Sequence, residues 1–221
     1  MVPNLYPAFE RQEVVIHAPR HVRSLAELTA AELALVAEAW RLRAAAAARD
    51  GFPALHAFVN EGAAAGASLP HSHSQLVWLR ELPPAVVAEQ EAAAGCRLCA
   101  LLAAERGAGD RVVVERDGLV ALCPAAGRVP YEILVAPAVH GGGGFGPALD
   151  GALALAADLV RALQAAEGHV AWNLWLHSGD HWHVEILPRL ATFGGVELGA
   201  GIYVLAVAPE DAAAALRERL P

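Results

Sequence analysis

The residues best suited to chemistry are His71, His73 and Gln75, in the stretch PHSHSQLVWL. Alternate residues of a β-strand share a face, so a strand here would turn both imidazoles and the amide the same way. A neutral imidazole is a good nucleophile, and a covalent intermediate divides one difficult displacement into two easier ones. An amide N–H beside it can stabilise charge that develops on phosphoryl oxygens. The pattern indicates attack on a phosphoryl group, and the plainer alternative is a polar strand entry without a chemical role.

The segment before these histidines is NEGAAAGAS, from Asn60 to Ser68, and it is almost devoid of large side chains. Gly62 and Gly66 can adopt conformations that other residues avoid, which lets backbone N–H groups approach a phosphate closely. The Ser68 hydroxyl can add a further hydrogen bond. We therefore expect a phosphate-binding loop immediately before the reactive histidine.

A second group of candidate residues begins with CRLC, in which Cys96 and Cys99 form a CxxC pair. Such a pair is half of a tetrahedral zinc site, which needs two more nitrogen or sulfur ligands. His140 and His181 could complete it. A redox pair is an alternative, although such pairs usually lie at a helix start in a thioredoxin-like order, which the sequence does not indicate. Two unliganded thiols are the other alternative.

These motifs belong to an internal repeat. In each copy a glutamate precedes a histidine by eight residues, and a pair of alternate histidines follows later: Glu13, His21, His71 and His73 in the first copy, and Glu132, His140, His181 and His183 in the second. A duplication explains these spacings more simply than coincidence does. The second copy has a CxxC and a predicted hairpin before its glutamate, whereas twelve residues precede Glu13. The first copy is therefore expected to lack its opening hairpin and a CxxC of its own.

The elements around the motifs predict an α+β fold of two such units, each an antiparallel sheet that carries a helix. Strands are expected in EVVIHAP, ALHAFVN, QLVWL, YEILVAP, AWNLWLH and HWHVEILP, with a hairpin at Asp117-Gly118. Helices are expected from the Ser24 capping box to Gly51, in DGALALAADLVRALQAAEG, and near the end of the chain. The proline-started segment LPPAVVAEQEAAAG predicts the boundary between two domains, residues 1–90 and 91–221.

Composition excludes several classes of protein. The net charge of −8 and the absence of a basic cluster argue against binding to nucleic-acid backbones. No apolar run reaches the length of a membrane span, and three cysteines do not make a disulfide framework. We therefore expect a cytoplasmic protein that contacts neither nucleic acid nor membrane.

Taken together, the motifs resemble the galactose-1-phosphate uridylyltransferase family of the histidine-triad superfamily, and most closely its bacterial and plant-like members, which include an ADP-glucose phosphorylase. The resemblance covers nearly the whole chain, and the string N-x-G-x-x-x-G-x-S-x-P-H-x-H-x-Q is its most specific part. The family pattern more often has proline where this chain has Ser72.

The resemblance implies a role for each matching residue. His73 matches the nucleophile that becomes nucleotidylylated, Gln75 a glutamine that hydrogen-bonds the phosphoryl group, and Ser68 a serine at the distal phosphate. Asn60, Gly62 and Gly66 match the phosphate-side loop, Asn4 a nucleoside contact, and Glu197 a residue near the hexose. The implied metal ligands are His21 and His71 in a first zinc site, and Cys96, Cys99, His140 and His181 in a second.

The implied activity is transfer of a nucleoside monophosphate between sugar 1-phosphates, by a homodimer that uses a nucleotide sugar with a hexose 1-phosphate or phosphate. Two alternatives stay open: phosphorolysis or hydrolysis of a nucleotide sugar, and a non-catalytic zinc-binding relative. The family's first zinc site also uses an N-terminal CxxC, which is absent here. We therefore expect an N-terminally shortened chain, with an upstream start or a trimmed relative as the two explanations. The base, the hexose, and zinc against iron stay undecided.

Overall fold

A computed structural model describes residues 1–90 and 95–221. Its strands in these residues form one antiparallel sheet in the order β1-β2-β4-β3-β8-β9-β7-β6-β5. The strands are β1 Val2–Pro3, β2 Arg11–Ile16, β3 Ala54–Glu61, β4 His73–Leu79, β5 Val112–Arg116, β6 Leu119–Leu122, β7 Ile133–Pro137, β8 Trp172–His177 and β9 His183–Pro188. The helices are α1 Ala30–Arg49, α2 Pro84–Gln90, α3 Arg97–Ala108, α4 Leu149–Glu167, α5 Gly195–Ala200 and α6 Pro209–Arg217. The predicted α+β class with antiparallel pairing is confirmed.

The two copies lie on either side of the β3–β8 pair. On one side β4, β2 and β1 follow β3, and on the other β9, β7, β6 and β5 follow β8, so the second side has one strand more. This is the arrangement that a duplication would produce. The predicted domain boundary falls beside residues 91–94, which lie outside the described residues, so a division at 90/91 stays a prediction.

The sheet has two different faces, because alternate residues point to opposite sides. One face carries α1 and α4, and the side chains beneath them are buried and apolar, including Leu76, Trp78, Leu174 and Ile186. The opposite face, which we call the open face, carries polar and aromatic side chains on the central strands. His73 and Gln75 on β4 lie on the open face because they alternate with the buried Ser74 and Leu76.

The starts of α1 and α3 differ from the sequence prediction. The capping box of Ser24 and Glu27 begins only a 3₁₀ turn, Leu25–Glu27, and α1 starts after a second capping box made by Thr29 and Glu32. Each side-chain oxygen accepts from a backbone N–H that a helix start leaves free. The helix α3 was not predicted, and it begins immediately after Cys96, which caps it. The CxxC pair therefore does lie at a helix start, contrary to the expectation.

No helix in residues 1–90 and 95–221 has both the length and the apolar character that a bilayer crossing requires.

Candidate active site

A row of side chains crosses the open face at the centre of the sheet. Ile16 on β2 is opposite His73 on β4, and Asn60 on β3 is opposite Asn173 on β8. The β3–β4 ladder pairs Val59 with Ser74, so the next position along it puts Asn60 across from His73. The sheet register therefore brings His73, Asn60 and Asn173 into one line, although they are distant in the chain.

The ring of His73 is buried and has a defined hydrogen-bond partner. Its Nδ1 lies 2.8 Å from the backbone oxygen of His71. A carbonyl oxygen only accepts, so Nδ1 carries the proton and the neutral ring has its lone pair on Nε2. The fold thus leaves Nε2 of His73 as a nucleophilic nitrogen.

Gln75 contacts a second amide, on the neighbouring strand. Nε2 of Gln12 donates to Oε1 of Gln75 at 2.7 Å, and the backbone N–H of Ala8 donates to Oε1 of Gln12 at 2.9 Å. Gln12 was not singled out by the sequence, because its contact with Gln75 depends on the pairing of β2 with β4.

The loop after β3 contains a short 3₁₀ turn, Ala63–Ala65, between two glycines. Gly62 has φ +83°, and a Cβ atom there would lie 2.7 Å from the Cβ of Ala171. Gly66 ends the turn with φ +86°. The positive φ favours glycine at both positions, and at Gly62 the close approach of Ala171 also excludes a side chain. Ser68 follows at an exposed position.

Glu61 anchors this loop from the helix-covered side of the sheet. Its carboxylate accepts from the backbone N–H of Leu25 at 3.1 Å and from Nε1 of Trp172 at 3.0 Å. Burial raises the pKa of Glu61 to about 7, because a low-dielectric surrounding penalises the charged form. A titratable carboxyl therefore lies directly beneath the candidate phosphate loop.

The predicted second metal site is assembled in the structure. The ligand atoms of Cys96, Cys99, His140 and His181 all lie within 4.8 Å of one another. Nδ1 of His181 is 3.3 Å from each sulfur, and Nδ1 of His140 is 3.6 Å from Sγ of Cys99. Tetrahedral zinc with ordinary bond lengths gives a nitrogen–sulfur separation of about 3.5 Å. The donor set and its spacing fit such an ion, and they do not distinguish zinc from other metals with the same ligand preference.

His71 and His21, the predicted ligands of a first metal site, lie together as a pair. Their ring centroids are 5.7 Å apart at 65°, and those of His140 and His181 are 5.1 Å apart at 67°. Within residues 1–90 and 95–221, no third histidine, cysteine or carboxylate joins His21 and His71 in a metal-binding group. The first pair therefore has the geometry of the second without its two sulfurs.

A further group of possible metal ligands was missed by the sequence reasoning. Glu89, His177, His183 and Glu185 have ligand atoms within 4.8 Å of one another. Nδ1 of His177 is 2.7 Å from Glu89, and Nδ1 of His183 is buried with no hydrogen-bond partner among residues 1–90 and 95–221. His177 therefore belongs to a cluster and is not an isolated side chain. Its position on β8, directly opposite His183, depends on strand pairing, so no local sequence signal marks it.

Burial raises the pKa of Glu185, but His183, Arg128 and His177 lower it to about 2 overall. Arg128 pairs with both Glu132 and Glu185. This network occupies in the second copy the place that His73 and Gln75 hold in the first.

A cavity of about 650 Å³ adjoins the cysteine cluster and Glu89, and another of about 620 Å³ opens beside the central row. The second cavity has aromatic walls from Phe58, Trp175 and Tyr203, with Asn60 and Asn173 at its polar end. An aromatic cavity with a few convergent polar groups suits a small planar ligand that carries a polar substituent.

Two predicted substrate contacts are engaged in local hydrogen bonds. Oδ1 of Asn4 accepts from the N–H of Tyr6 at 2.9 Å, and the carboxylate of Glu197 accepts from the N–H of Gly194 at 2.8 Å. Phe193, next to Gly194, lines the aromatic cavity. The roles of Asn4 and Glu197 stay predictions.

Comparisons with known proteins agree with the motifs. The family described as galactose-1-phosphate uridyl transferase, N-terminal domain, matches residues 7–84. The ADP-glucose phosphorylase of Arabidopsis thaliana is 28% identical over 266 residues, covering 99% of this chain and 73% of that protein. The galactose-1-phosphate uridylyltransferase of Thermotoga maritima is 25% identical over 238 residues, covering 93% of this chain and 73% of that protein.

A solved structure is similar over almost the whole chain. The crystal structure of an Arabidopsis thaliana ADP-glucose phosphorylase with bound ADP-glucose has a TM-score of 0.83 and 27% sequence identity. The match covers 98% of this chain and 80% of that one. The resemblance predicted from the motifs is therefore confirmed in sequence and in fold.

Proposed function

We propose that this chain, which resembles the galactose-1-phosphate uridylyltransferase family, is a nucleotidyltransferase that works through a covalent adduct on His73. The observation that carries the proposal is the hydrogen bond from Nδ1 of His73 to the backbone oxygen of His71, at 2.8 Å. It leaves a neutral Nε2 free to attack phosphorus. The relatives named phosphorylase and uridylyltransferase support nucleotide sugars as substrates.

The reaction proceeds in two displacements. Nε2 of His73 bonds to the α-phosphorus of the nucleotide sugar, the bond from that phosphorus to the bridging oxygen breaks, and hexose 1-phosphate leaves with the electron pair. An oxygen of a second hexose 1-phosphate, or of inorganic phosphate, then attacks the same phosphorus. The bond to Nε2 breaks, and His73 recovers its lone pair.

The surrounding groups stabilise charge and hold the substrate. Gln75 and the backbone N–H groups after Asn60 donate to the phosphoryl oxygens, and Ser68 donates to the distal phosphate. The nucleoside or hexose occupies the aromatic cavity beside Phe58 and Trp175. Zinc held by Cys96, Cys99, His140 and His181 would supply a structural cross-link between α3, β7 and β9.

Intact-protein mass spectrometry tests the proposal. The zinc-loaded protein is mixed briefly with UDP-glucose or ADP-glucose in the absence of an acceptor. We expect an acid-labile nucleotidyl adduct with one of the two donors, and no adduct in His73→Ala. The mass of the adduct identifies the base. A folded, metal-loaded protein that forms no adduct with either donor would refute the covalent mechanism.

Acceptors distinguish the alternatives. Release of the nucleotidyl group to galactose 1-phosphate indicates a uridylyltransferase, and release to inorganic phosphate indicates an ADP-glucose phosphorylase. Rapid release to water indicates a hydrolase. Nucleotide binding without an adduct indicates a non-catalytic relative.

We also propose a homodimer, as the family resemblance implies. Leu5 and Tyr6 expose 87% and 90% of their surfaces, which supports a partner near the N-terminus. Light scattering after size-exclusion chromatography tests the oligomeric state. A cytoplasmic location stays a prediction.

A further inference from the structure

Two side-chain amides flank His73 on the open face, and each contacts another amide from a different strand. Gln75 follows His73 on β4 and contacts Gln12 of β2. Asn60 lies across from His73 on β3 and contacts Asn173 of β8. An amide presents either a donor N–H₂ or an acceptor oxygen, so its orientation decides whether it attracts or repels a phosphate.

The orientation of Gln75 follows from a chain of two hydrogen bonds. The N–H of Ala8 can only donate, so the Gln12 atom 2.9 Å away must be the oxygen. Nε2 of Gln12 therefore faces Gln75 and needs an acceptor, which is Oε1 of Gln75 at 2.7 Å. Nε2 of Gln75 is left free as a donor.

The orientation of Asn60 follows in the same way from the opposite side. Nδ2 of Asn173 lies 2.8 Å from the backbone oxygen of Ala65, which can only accept. The same nitrogen gives its other proton to Oδ1 of Asn60 at 2.8 Å. Nδ2 of Asn60 therefore faces the glycine loop, where a Cβ on Gly66 would be 3.7 Å from it.

We infer that Gln12 and Asn173 are positioning residues that lock Gln75 and Asn60 as hydrogen-bond donors toward the phosphoryl groups of the nucleotide. This inference rests on the proposed function. Neither residue touches the reacting atoms, and each acts through one partner amide. Asn173 lies in the second copy of the repeat and Asn60 in the first, so the phosphate loop depends on a residue across the β3–β8 pair.

Isosteric substitutions test each of the two amide–amide contacts, Gln12 with Gln75 and Asn173 with Asn60. Gln12→Glu keeps the acceptor for Ala8 but cannot donate to Gln75, whose N–H₂ then turns toward the new carboxylate. We expect the rate of adduct formation to fall roughly 100-fold while the Kd for the nucleotide sugar stays within about threefold, because Gln75 acts on charge that develops in the transition state. Gln90→Glu, at an exposed position on α2, controls for the added charge and is expected to leave both values unchanged.

Asn173→Asp removes the N–H₂ group that donates to both Asn60 and Ala65. We expect the Kd for UDP-glucose or ADP-glucose to rise roughly tenfold, because Asn60 then turns an oxygen toward a phosphate. The corresponding nucleoside has no phosphate, so its affinity should fall much less than that of the nucleotide sugar, although Asn173 also lines the aromatic cavity. Equal losses for the two ligands would indicate a structural disturbance of that cavity and would overturn the inference for Asn173.

A double variant at Gln12 and Gln75 shows whether Gln12 acts through Gln75 or directly on the substrate. In a Gln75→Leu background there is no donor to orient, so Gln12→Glu should have no further effect on the adduct rate. A full 100-fold loss in that background would overturn the inference for Gln12.

Side-chain amide NMR of the wild-type protein tests the orientations independently of activity. We expect nuclear Overhauser contacts from the Nδ2 protons of Asn60 to Gly66, and contacts from the Nδ2 protons of Asn173 to Asn60 and Ala65. Asn60 protons directed at Asn173 would overturn the inference even in an active enzyme. A wild-type protein with the expected contacts but no adduct would refute the proposed function alone.

Discussion

His71 and His181 hold their rings in the same way in the two copies of the repeat. Nε2 of His71 donates to the backbone oxygen of Ala18 at 3.0 Å, and Nε2 of His181 donates to that of Pro137 at 2.8 Å. Each carbonyl belongs to the fifth residue after the glutamate of its copy. A ligand histidine commonly gives its second N–H to such an acceptor, which leaves Nδ1 for a metal. Both copies therefore orient a histidine with Nδ1 available to a metal, and only the second copy adds cysteines.

Removal of one cysteine tests the cluster of Cys96, Cys99, His140 and His181. Cys96→Ser should reduce bound zinc and lower the stability by roughly 4 kcal/mol, which is on the order of 10 °C in Tm for a chain of this size. Elemental analysis and thermal unfolding measure the two effects. Cys123→Ala is the matched control: this thiol is buried and burial raises its pKa to about 12, so it should not alter the metal content. Equal zinc content in Cys96→Ser and wild type would contradict the site.

The pH dependence of stability reports on Glu61. Burial raises its pKa from 4.5 to about 7, so between these values the folded state holds a proton that the unfolded state has lost. The contribution of this group is present below about pH 4.5 and is lost as the pH rises to about 7, by roughly 3 kcal/mol in total.

Glu61→Gln should remove that slope, because a neutral amide has no proton to lose. Denaturant unfolding at several pH values, taken as the difference between variant and wild type, cancels the other titrating groups. A difference that does not vary between pH 4.5 and 7 would show that the Glu61 carboxyl titrates normally.

Gly62 is expected to tolerate no side chain. Gly62→Ala meets the Cβ of Ala171 at 2.7 Å and also holds alanine at φ +83°. Gly51→Ala has a similar φ of +79°, but no atom of the described residues lies within 4 Å of the added Cβ, so this variant isolates the conformational cost. We expect a loss of roughly 1 kcal/mol for Gly51→Ala and of more than about 2 kcal/mol for Gly62→Ala, measured by urea unfolding. Equal losses would mean that Ala171 moves away freely.

Ser72 uses two groups that proline lacks. Its N–H donates to the oxygen of Val22 at 2.8 Å, and its Oγ lies 2.8 Å from Nδ1 of the buried His17. Ser72→Pro should therefore cost roughly 1–3 kcal/mol, although the family pattern more often has proline here.

His17, which contacts Ser72, allows a second test based on the free energy of unfolding. Nε2 of His17 is buried and has no hydrogen-bond partner in the part of the chain that the structure describes, so Ser72→Ala leaves the other ring nitrogen without a partner as well. The double variant Ser72→Ala/His17→Leu removes all of these polar atoms and should be more stable than Ser72→Ala alone. Urea unfolding of the three variants measures the coupling, and a double variant that is less stable would contradict it.

The sequence predicted those parts of the site that lie close together in the chain. His71, His73 and Gln75 share a strand, and the alternation of a strand is a local property that two-residue spacing reveals. The glycine loop precedes them directly, and the repeat related His140 and His181 to residues of the first copy. The first helix was placed one capping box too early, because Ser24 and Thr29 carry equally good local signals.

Contacts between strands were decided by the tertiary structure alone. Gln12 meets Gln75 and Asn173 meets Asn60 only because antiparallel pairing sets β2 beside β4 and β3 beside β8. His177 meets Glu89, and His17 meets Ser72, for the same reason of long-range packing. Register arises from the packing of a whole face against the core and leaves no mark on local spacing. By itself, therefore, the sequence determined which residues can react, and the fold decided which groups orient them.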